Sequence, residues 1–447
     1  MSALPDGRHR GIMHQSFLTV LSVSDVVARL LSVPPLPAVT CPLEELALRG
    51  GMAVLASDIP AGEDLPPADR SAMDGYAVRS EDLFGASEFN PVWLECRGRI
   101  PVNVPPAFAL DAGYCAEIAT GGFLPEGADA VVMVEQSKRL GAETVELNRS
   151  TFPGEHVLCK GDDVRSGDVA LPAGTLLRAQ ETGLLAALGI TEVPVIRRPR
   201  VTLLSTGDEL VPPRTPHPEA GQIRDVNSLA IATMLSGRAD VRLGGIIPDD
   251  LDRLVAAMLE ELEPSSSREP ADVLLLSGGS SAGTRDLTLT ALQRIPGMKV
   301  LCHGVALSPG KPLILARRGS AFIWGLPGQV ASAQVVMFVL GLPFIQHLSG
   351  ASLRSPSADG PFDQTLWPSR RAILSRNVAS KQGREDYIRV RLKAPDAAPG
   401  ALPLAIPVTG PSGLLRTLLH ADGLLRIPAD LEGLEAGTEV NVLLFPA

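Results

Sequence analysis

Aromatic side chains make up only 4% of this 447-residue chain: three Trp, three Tyr and eleven Phe. That scarcity argues against a surface that stacks on nucleic-acid bases. Positive charge is also in deficit, with 40 Lys and Arg against 50 Asp and Glu and a formal net charge of −10. No nucleic-acid partner is expected, and an anionic ligand has to be held by local donors or metal against the overall field. The five cysteines, Cys41, Cys96, Cys115, Cys159 and Cys302, are odd in number, widely spaced and free of any C-x-x-C pair. This predicts a reducing cytoplasm rather than a disulfide frame or structural zinc. The opening MSALPDGRHRGIMHQS carries charge with no apolar run behind it, so no signal peptide is expected. The most apolar stretch, Phe322–Leu348, is interrupted by Gly325, Pro327, Gly328, Gln329, Gly341 and Pro343. It falls short of the clean run of about 20 residues that a membrane span needs. The expectation is a soluble cytoplasmic protein with no membrane partner.

What is present is enough apolar residue, 45%, to fill several cores, and a length that suits three or four domains of roughly 100–200 residues each. Residues 1–16 read as a loose tail. "SVSDVVARLLSVPP" reads as a helix opening at Ser24 or Asp25 and stopped before Pro34-Pro35, and residues 43–58 carry a second helical pattern. Short apolar runs between Pro, Gly and Asp from about 76 to 160 predict a small all-β domain. From "DDVRSGDVALPAGTLLRAQETGLLAALGI" a strand, a turn and a helix are expected. Beyond Pro199 the pattern changes. Apolar strands such as "RVTLLST", "DVRLGGII", "ADVLLLSGG" and "FIWGL" alternate with helical runs, which predicts a parallel sheet covered on both faces. After about 350, alternating runs predict a further β domain.

The chemistry should lie in the polar turns after those strands, where open α/β sheets bind ligands. "SGGSSAG" supplies Ser277, Gly278, Gly279, Ser280 and Gly283, whose backbone can approach an anion closely before a helix start. The loop matches neither the G-x-x-x-x-G-K-[ST] pattern nor G-x-G-x-x-G, and an inert βα connection stays open as its other reading. Asp286 is either the N-cap of the next helix or a carboxylate for Mg2+ beside bound phosphate. Other turns add Thr206, Asp208 and Glu209 in "LLSTGDEL", Asp225 and Asn227 in "GQIRDVN", and Asp249 and Asp250 in "IIPDD". Each acid alone suits a cap or a solvated turn, but acids gathered at one sheet edge repel unless a cation or proton intervenes. "VALSPGKPLIL" places Ser308, Gly310 and Lys311 in a rigid loop suited to meeting an anion, and Asp74-Gly75 in "RSAMDGYAV" reads as a tight turn.

Together these stretches resemble the molybdopterin molybdenumtransferase family, of bacterial MoeA type and related to the gephyrin E domain. The resemblance rests on "SAMDGYAVR", "EIATGGFLPEGADAVVMVEQ", "GDDVRSGDVALPAGT", "LLSTGDEL", "GQIRDVN", "IIPDD", "SGGSSAGTRD", "SPGKP" and "GLPG", in family order over about residues 20–445. It implies an elongated discontinuous domain (17–67 and 161–197), an inserted β domain (68–160), an α/β molybdopterin-binding domain with a parallel-rich sheet (198–350) and a C-terminal β domain (351–447). It implies a homodimer whose site joins the α/β domain of one chain to the β insertion of the other. The implied reaction takes adenylylated molybdopterin and molybdate, releases AMP and leaves molybdenum on the dithiolene, with Mg2+ or another divalent ion. Asp74, Asp163, Glu209, Asp250, Asp286 and Lys311 match catalytic positions, and Glu209, Asp250 and Asp286 the metal set. Thr120, Thr206, Asp225, the Ser277–Gly283 loop residues, Ser308, Gly310, Arg384 and Ser412 match substrate-binding positions. Molybdopterin adenylyltransferase and recipient molybdoenzymes are the implied partners. Ser308 stands where the family's "KPGKP" has its first lysine, which removes one cation from the expected molybdate pocket; a non-catalytic oxyanion- or molybdopterin-delivery protein and an adenylyltransferase are the competing readings.

Overall fold

A computed structural model describes residues 20–50, 52–141, 143–278, 284–351, 368–394 and 401–446; of 284–286 only the helical backbone is described. The chain forms two compact units. One comprises Thr40–Gly51 and Leu55–Val195, the other Met1–Val39, Met52–Val54 and Ile196–Ala447.

The larger unit is built on six strands: β1 (Arg200–Thr206), β2 (Asp240–Ile247), β3 (Val273–Gly278), β4 (Met298–His303), β5 (Ile314–Arg318) and β6 (Ala321–Leu326), in the order β2-β1-β3-β6-β5-β4. The first four in that order are parallel, with Val201 opposite Val273 and Val273 opposite Phe322. The sheet is not wholly parallel, because β5 runs antiparallel to both β6 and β4. Only Gly319 and Ser320 separate β5 from β6, and so short a connection can only return antiparallel. The helices are α1 (Val23–Leu31), α2 (Asn227–Leu235), α3 (Leu251–Leu262), α4 (Thr284–Arg294) and a continuous helical run, α5, over residues 330–348. Period-two side-chain alternation sends Val201, Leu203, Val273 and Leu275 to one face, against α1, α2 and α5. Leu204, Leu274 and Leu276 go to the other, against α3 and α4.

Two helices differ from expectation. α1 starts at Val23, one or two residues earlier than expected, capped by Ser22, whose Oγ accepts from the Asp25 N–H at 3.0 Å. It buries Val23, Val26, Val27 and Leu30 in the α/β core rather than joining residues 40–67. α5 is not broken at Gly341 and Pro343; residues 337–341 widen into a π-turn between two α segments. Pro343 lacks the N–H that an α-turn needs, and the π-turn absorbs the mismatch. Among the described residues α5 is the one helix long and apolar enough to cross a bilayer, yet most of it is buried in the protein.

The C-terminal residues form a barrel. Glu385–Lys393, Leu404–Pro407, Ser369–Leu374, Glu439–Leu444 and Gly423–Ile427 pair in that order, and the last strand pairs back with the first. A short strand from the α/β part, Leu307–Ser308, joins the barrel in parallel, with Ser308 opposite Asp386. Tyr387, Leu424 and Leu443 enter the same core as α5. In the smaller unit a six-stranded sheet, ordered Ala130–Met133, Gly75–Val78, Tyr114–Ile118, Val92–Ile100, Thr144–Leu147 and Ser137–Leu140, carries an apolar cluster on each face. The expected helix over 43–58 is confined to Leu43–Leu48.

Candidate functional site

Because β1, β3 and β6 are parallel, their C-termini reach one edge of the sheet, and a buried polar knot ties them together. Asp225, which precedes α2, accepts from Ser205 Oγ (2.6 Å) through Oδ2 and from the Ser228 N–H (3.2 Å) through Oδ1. Asn227 opens α2 and donates from Nδ2 to Ser277 Oγ on β3 (2.8 Å) and to the Gly328 carbonyl beyond β6 (3.0 Å). Its Oδ1 is buried without a partner. Thr206 is buried at the end of β1, and a Cβ on Gly278 would lie 3.0 Å from Thr206 Oγ1. Beside the knot opens a cavity of about 770 Å3, lined by Gly207, Asp208, Pro213, Arg214, Asp225 and Leu229 among others. Its walls are largely apolar, with a few polar groups, as suits an organic ring.

Acids collect at the same edge. Asp249 follows β2; its backbone N–H donates to Asp208 Oδ1 at 3.1 Å and its own Oδ1 is buried without a partner. Burial, and then the charges of Asp208 and Glu209, push its carboxyl above the usual range. Asp250, expected as a metal ligand, instead caps α3, accepting from the Arg253 N–H at 2.8 Å. Asp286 lies within the first turn of α4 rather than at its cap; its side chain, and all of Gly279, Ser280 and Gly283, fall outside the described residues. Among the described residues no group of three His, Cys, Asp or Glu is placed to hold a metal ion.

The loop from Leu307 to Lys311 faces the barrel. Gly310 has φ +135°, and a Cβ there would lie 2.5 Å from Val336 and 2.6 Å from Leu307, so only glycine lets the loop pack on α5. Lys311 is exposed. Ser308 and Ser412 line one pocket of about 550 Å3, together with Arg376, Asn377 and Arg389. The Ser412 carbonyl also accepts from the Ala331 N–H at the start of α5 (2.9 Å). Arg384 does not line this pocket; its Nε lies 3.1 Å from Asp386 Oδ1, and Asp386 is buried and also accepts from Ser380 Oγ (2.6 Å).

Three family models match along the chain in order. They are the MoeA N-terminal region (domain I and II) over residues 21–189, a probable molybdopterin binding domain over 202–347, and the MoeA C-terminal region (domain IV) over 371–445. Molybdopterin molybdenumtransferase 2 of Mycobacterium tuberculosis is 34% identical over 395 residues, which cover 87% of this chain and 91% of that protein. The chain belongs to the molybdopterin molybdenumtransferase family. A second family member, from Haemophilus influenzae, is 32% identical over 376 residues, 83% of this chain and 85% of its own. A crystal structure of a molybdopterin biosynthesis MoeA protein from Pyrococcus horikosii superposes with a TM-score of 0.73 at 31% identity, covering 96% of this chain and all of that one.

In the smaller unit of this family member, Asp74 and Thr120 meet. Asp74 Oδ1 accepts from both the Thr120 backbone N–H (2.6 Å) and its Oγ1 (2.9 Å). These bonds, the backbone one first, hold the carboxyl below its ordinary range. Asp163 is exposed in the turn paired to Leu65, with no side-chain bond to Asp74 or Thr120. Sequence reasoning missed Arg376 and Arg389, which sit in alternating strand-like runs with nothing to separate them from surface arginines. Asn227 was singled out with Asp225 in "GQIRDVN", though not among the substrate-binding positions.

Proposed function

We propose that this chain inserts molybdenum from molybdate into adenylylated molybdopterin, with release of AMP, as a homodimer in the cytoplasm. The observation that carries the reading is the pairing, within one unit, of a ring-sized cavity at the sheet edge with an arginine-lined pocket at Ser308 and Ser412. The names of the relatives support the transfer of molybdenum to molybdopterin; the adenylylated substrate and the release of AMP rest on the motif resemblance. On this reading the pterin enters the cavity beside Asp225, whose carboxylate orients its N–H donors. The oxyanion takes the second pocket. Asp74, kept ionised by Thr120, serves as an acceptor rather than a proton donor.

For magnesium, expected from the resemblance, no three-ligand set is found among the described residues; Asp250 caps a helix through Oδ1, and the side chain of Asp286 lies outside the described residues. The test is incubation of the full chain with adenylylated molybdopterin, molybdate and Mg2+, following AMP and metal-loaded pterin. Stoichiometric appearance of both is expected. Binding of either substrate with no AMP formed would favour the delivery-protein reading and refute this one.

A further inference from the structure

Between α2, α5 and the short helix Arg416–Leu419 lies a groove of about 470 Å3, wholly within the larger unit. It shares no lining residue with either pocket described above, and its size suits a small organic ligand. Val335 and Phe338, both buried, form its floor, and Phe445 meets Phe338 edge-on at 5.2 Å, so the aromatic wall is held by packing. On the rim Leu415 and Leu419 are 40% and 81% exposed, apolar surface left without cover. α2 serves two cavities: Ser228 and Leu229 in its first turn line the one at the sheet edge, and Thr233 and Met234 in its last turn line the groove.

One cation interrupts these walls. α2 ends at Leu235, and Gly237, at φ +74°, turns the chain so that Arg238 lines the groove. A surface arginine ordinarily keeps its guanidinium in water. Arg238 instead has its Nε buried with no partner, and among the described residues it makes no ion pair. No Asp or Glu lines the groove, in a chain whose net charge is −10. A buried N–H without an acceptor is costly; a ligand carboxylate would satisfy it and neutralise the guanidinium together. We propose that this groove is a second ligand site, for a small organic carboxylate with an apolar ring or chain. The apolar body lies against Phe338, Phe445 and Leu419, and the carboxylate meets Arg238, with the Gln334 amide as a neutral donor beside it. Such binding is independent of the reaction proposed above.

The test is equilibrium titration of the full-length chain with naphthoate and with its neutral counterpart naphthamide, at constant ionic strength. Saturable binding of naphthoate is expected, with a dissociation constant of about 1 mM or tighter, and the amide should bind about tenfold more weakly. Arg238→Gln should erase that preference, weakening naphthoate about tenfold and leaving the amide unchanged. Leu419→Glu, at an exposed position, should weaken both probes, naphthoate the more because the new carboxylate repels it. Both variants should melt with the parent, which separates loss of the site from loss of the fold. The proposal is overturned if naphthoate does not bind saturably, or if its affinity and its advantage over the amide persist in both folded variants, since the probe then sits elsewhere. If Leu419→Glu turns a dimer into monomers, the groove is instead an interface between two copies of this chain, and the proposal falls as well.

Discussion

Asn227 gives the sharpest test of how the sheet edge is built. Its amide nitrogen holds the ends of β3 and β6 through bonds of 2.8 and 3.0 Å, while its oxygen is buried and unpaired. Truncation to alanine loses two neutral bonds, about 0.5–1.5 kcal/mol each. It also removes an unsatisfied acceptor, which returns part of that cost. The expected net loss is about 1–2 kcal/mol, or roughly 2–4 °C in the melting of the larger unit for each kcal/mol. Asn227→Asp keeps the shape but replaces the donor with a carboxylate oxygen facing the Gly328 carbonyl. It should cost more than alanine at neutral pH, because a buried charge then faces an acceptor. That carboxyl would have a folded-state pKa above its unfolded value, so stability is retained at low pH and lost as pH rises from the unfolded pKa through the folded one. The penalty should therefore shrink in mild acid. Two units need not melt together, so the assay is calorimetry combined with hydrogen exchange at the ends of β3 and β6. If Asn227→Asp is as stable as Asn227→Ala at neutral pH, the amide is not the tie between these strands.

Three further outcomes are expected. Asp74 should titrate below 3.8 in the folded chain, so its contribution to stability is present above that value and lost as pH falls through the folded pKa; Thr120→Ala should move the carbon-13 midpoint of its carboxyl upward but leave it depressed, since the larger, backbone bond survives, and an unmoved midpoint would show the hydroxyl to be idle. Gly310→Ala should destabilise the larger unit by at least about 2 kcal/mol, from the positive φ and the contacts with Val336 and Leu307; a melting temperature equal to the parent's would contradict the packing of this loop. Mixing Asp74→Ala with Asp286→Ala chains should restore part of the activity if each site draws on two protomers, whereas verified mixed dimers without rescue would refute a shared site.

The alternation of apolar strands and helices after Pro199 was sufficient to predict an α/β sheet with polar turns at one edge, because burial on both faces leaves continuous apolar runs. The antiparallel reversal at Gly319-Ser320 was missed, since Ile314–Arg318 starts at the end of the stretch "VALSPGKPLIL" read as a binding loop and was given no element of its own. Asp225, Thr206 and Ser277 were legible because strand ends in a parallel sheet converge wherever the chain travels between them. The destination of Ser308 was not. Pairing Leu307–Ser308 with Glu385-Asp386 joins segments nearly 80 residues apart, and no local periodicity encodes a ladder across that separation. The same holds for Arg384 and Arg389, which are five positions apart, one just before the strand Glu385–Lys393 and one on it, and identical in type. Only the packing of Asp386 beside one, and of Thr417 and Gly410 beside the other, decides which charge is neutralised and which, among the described residues, is buried with no counter-ion. Residue type and spacing determine which chemistry is available to this chain; desolvation and pairing, which exist only after folding, determine which of two like charges is neutralised.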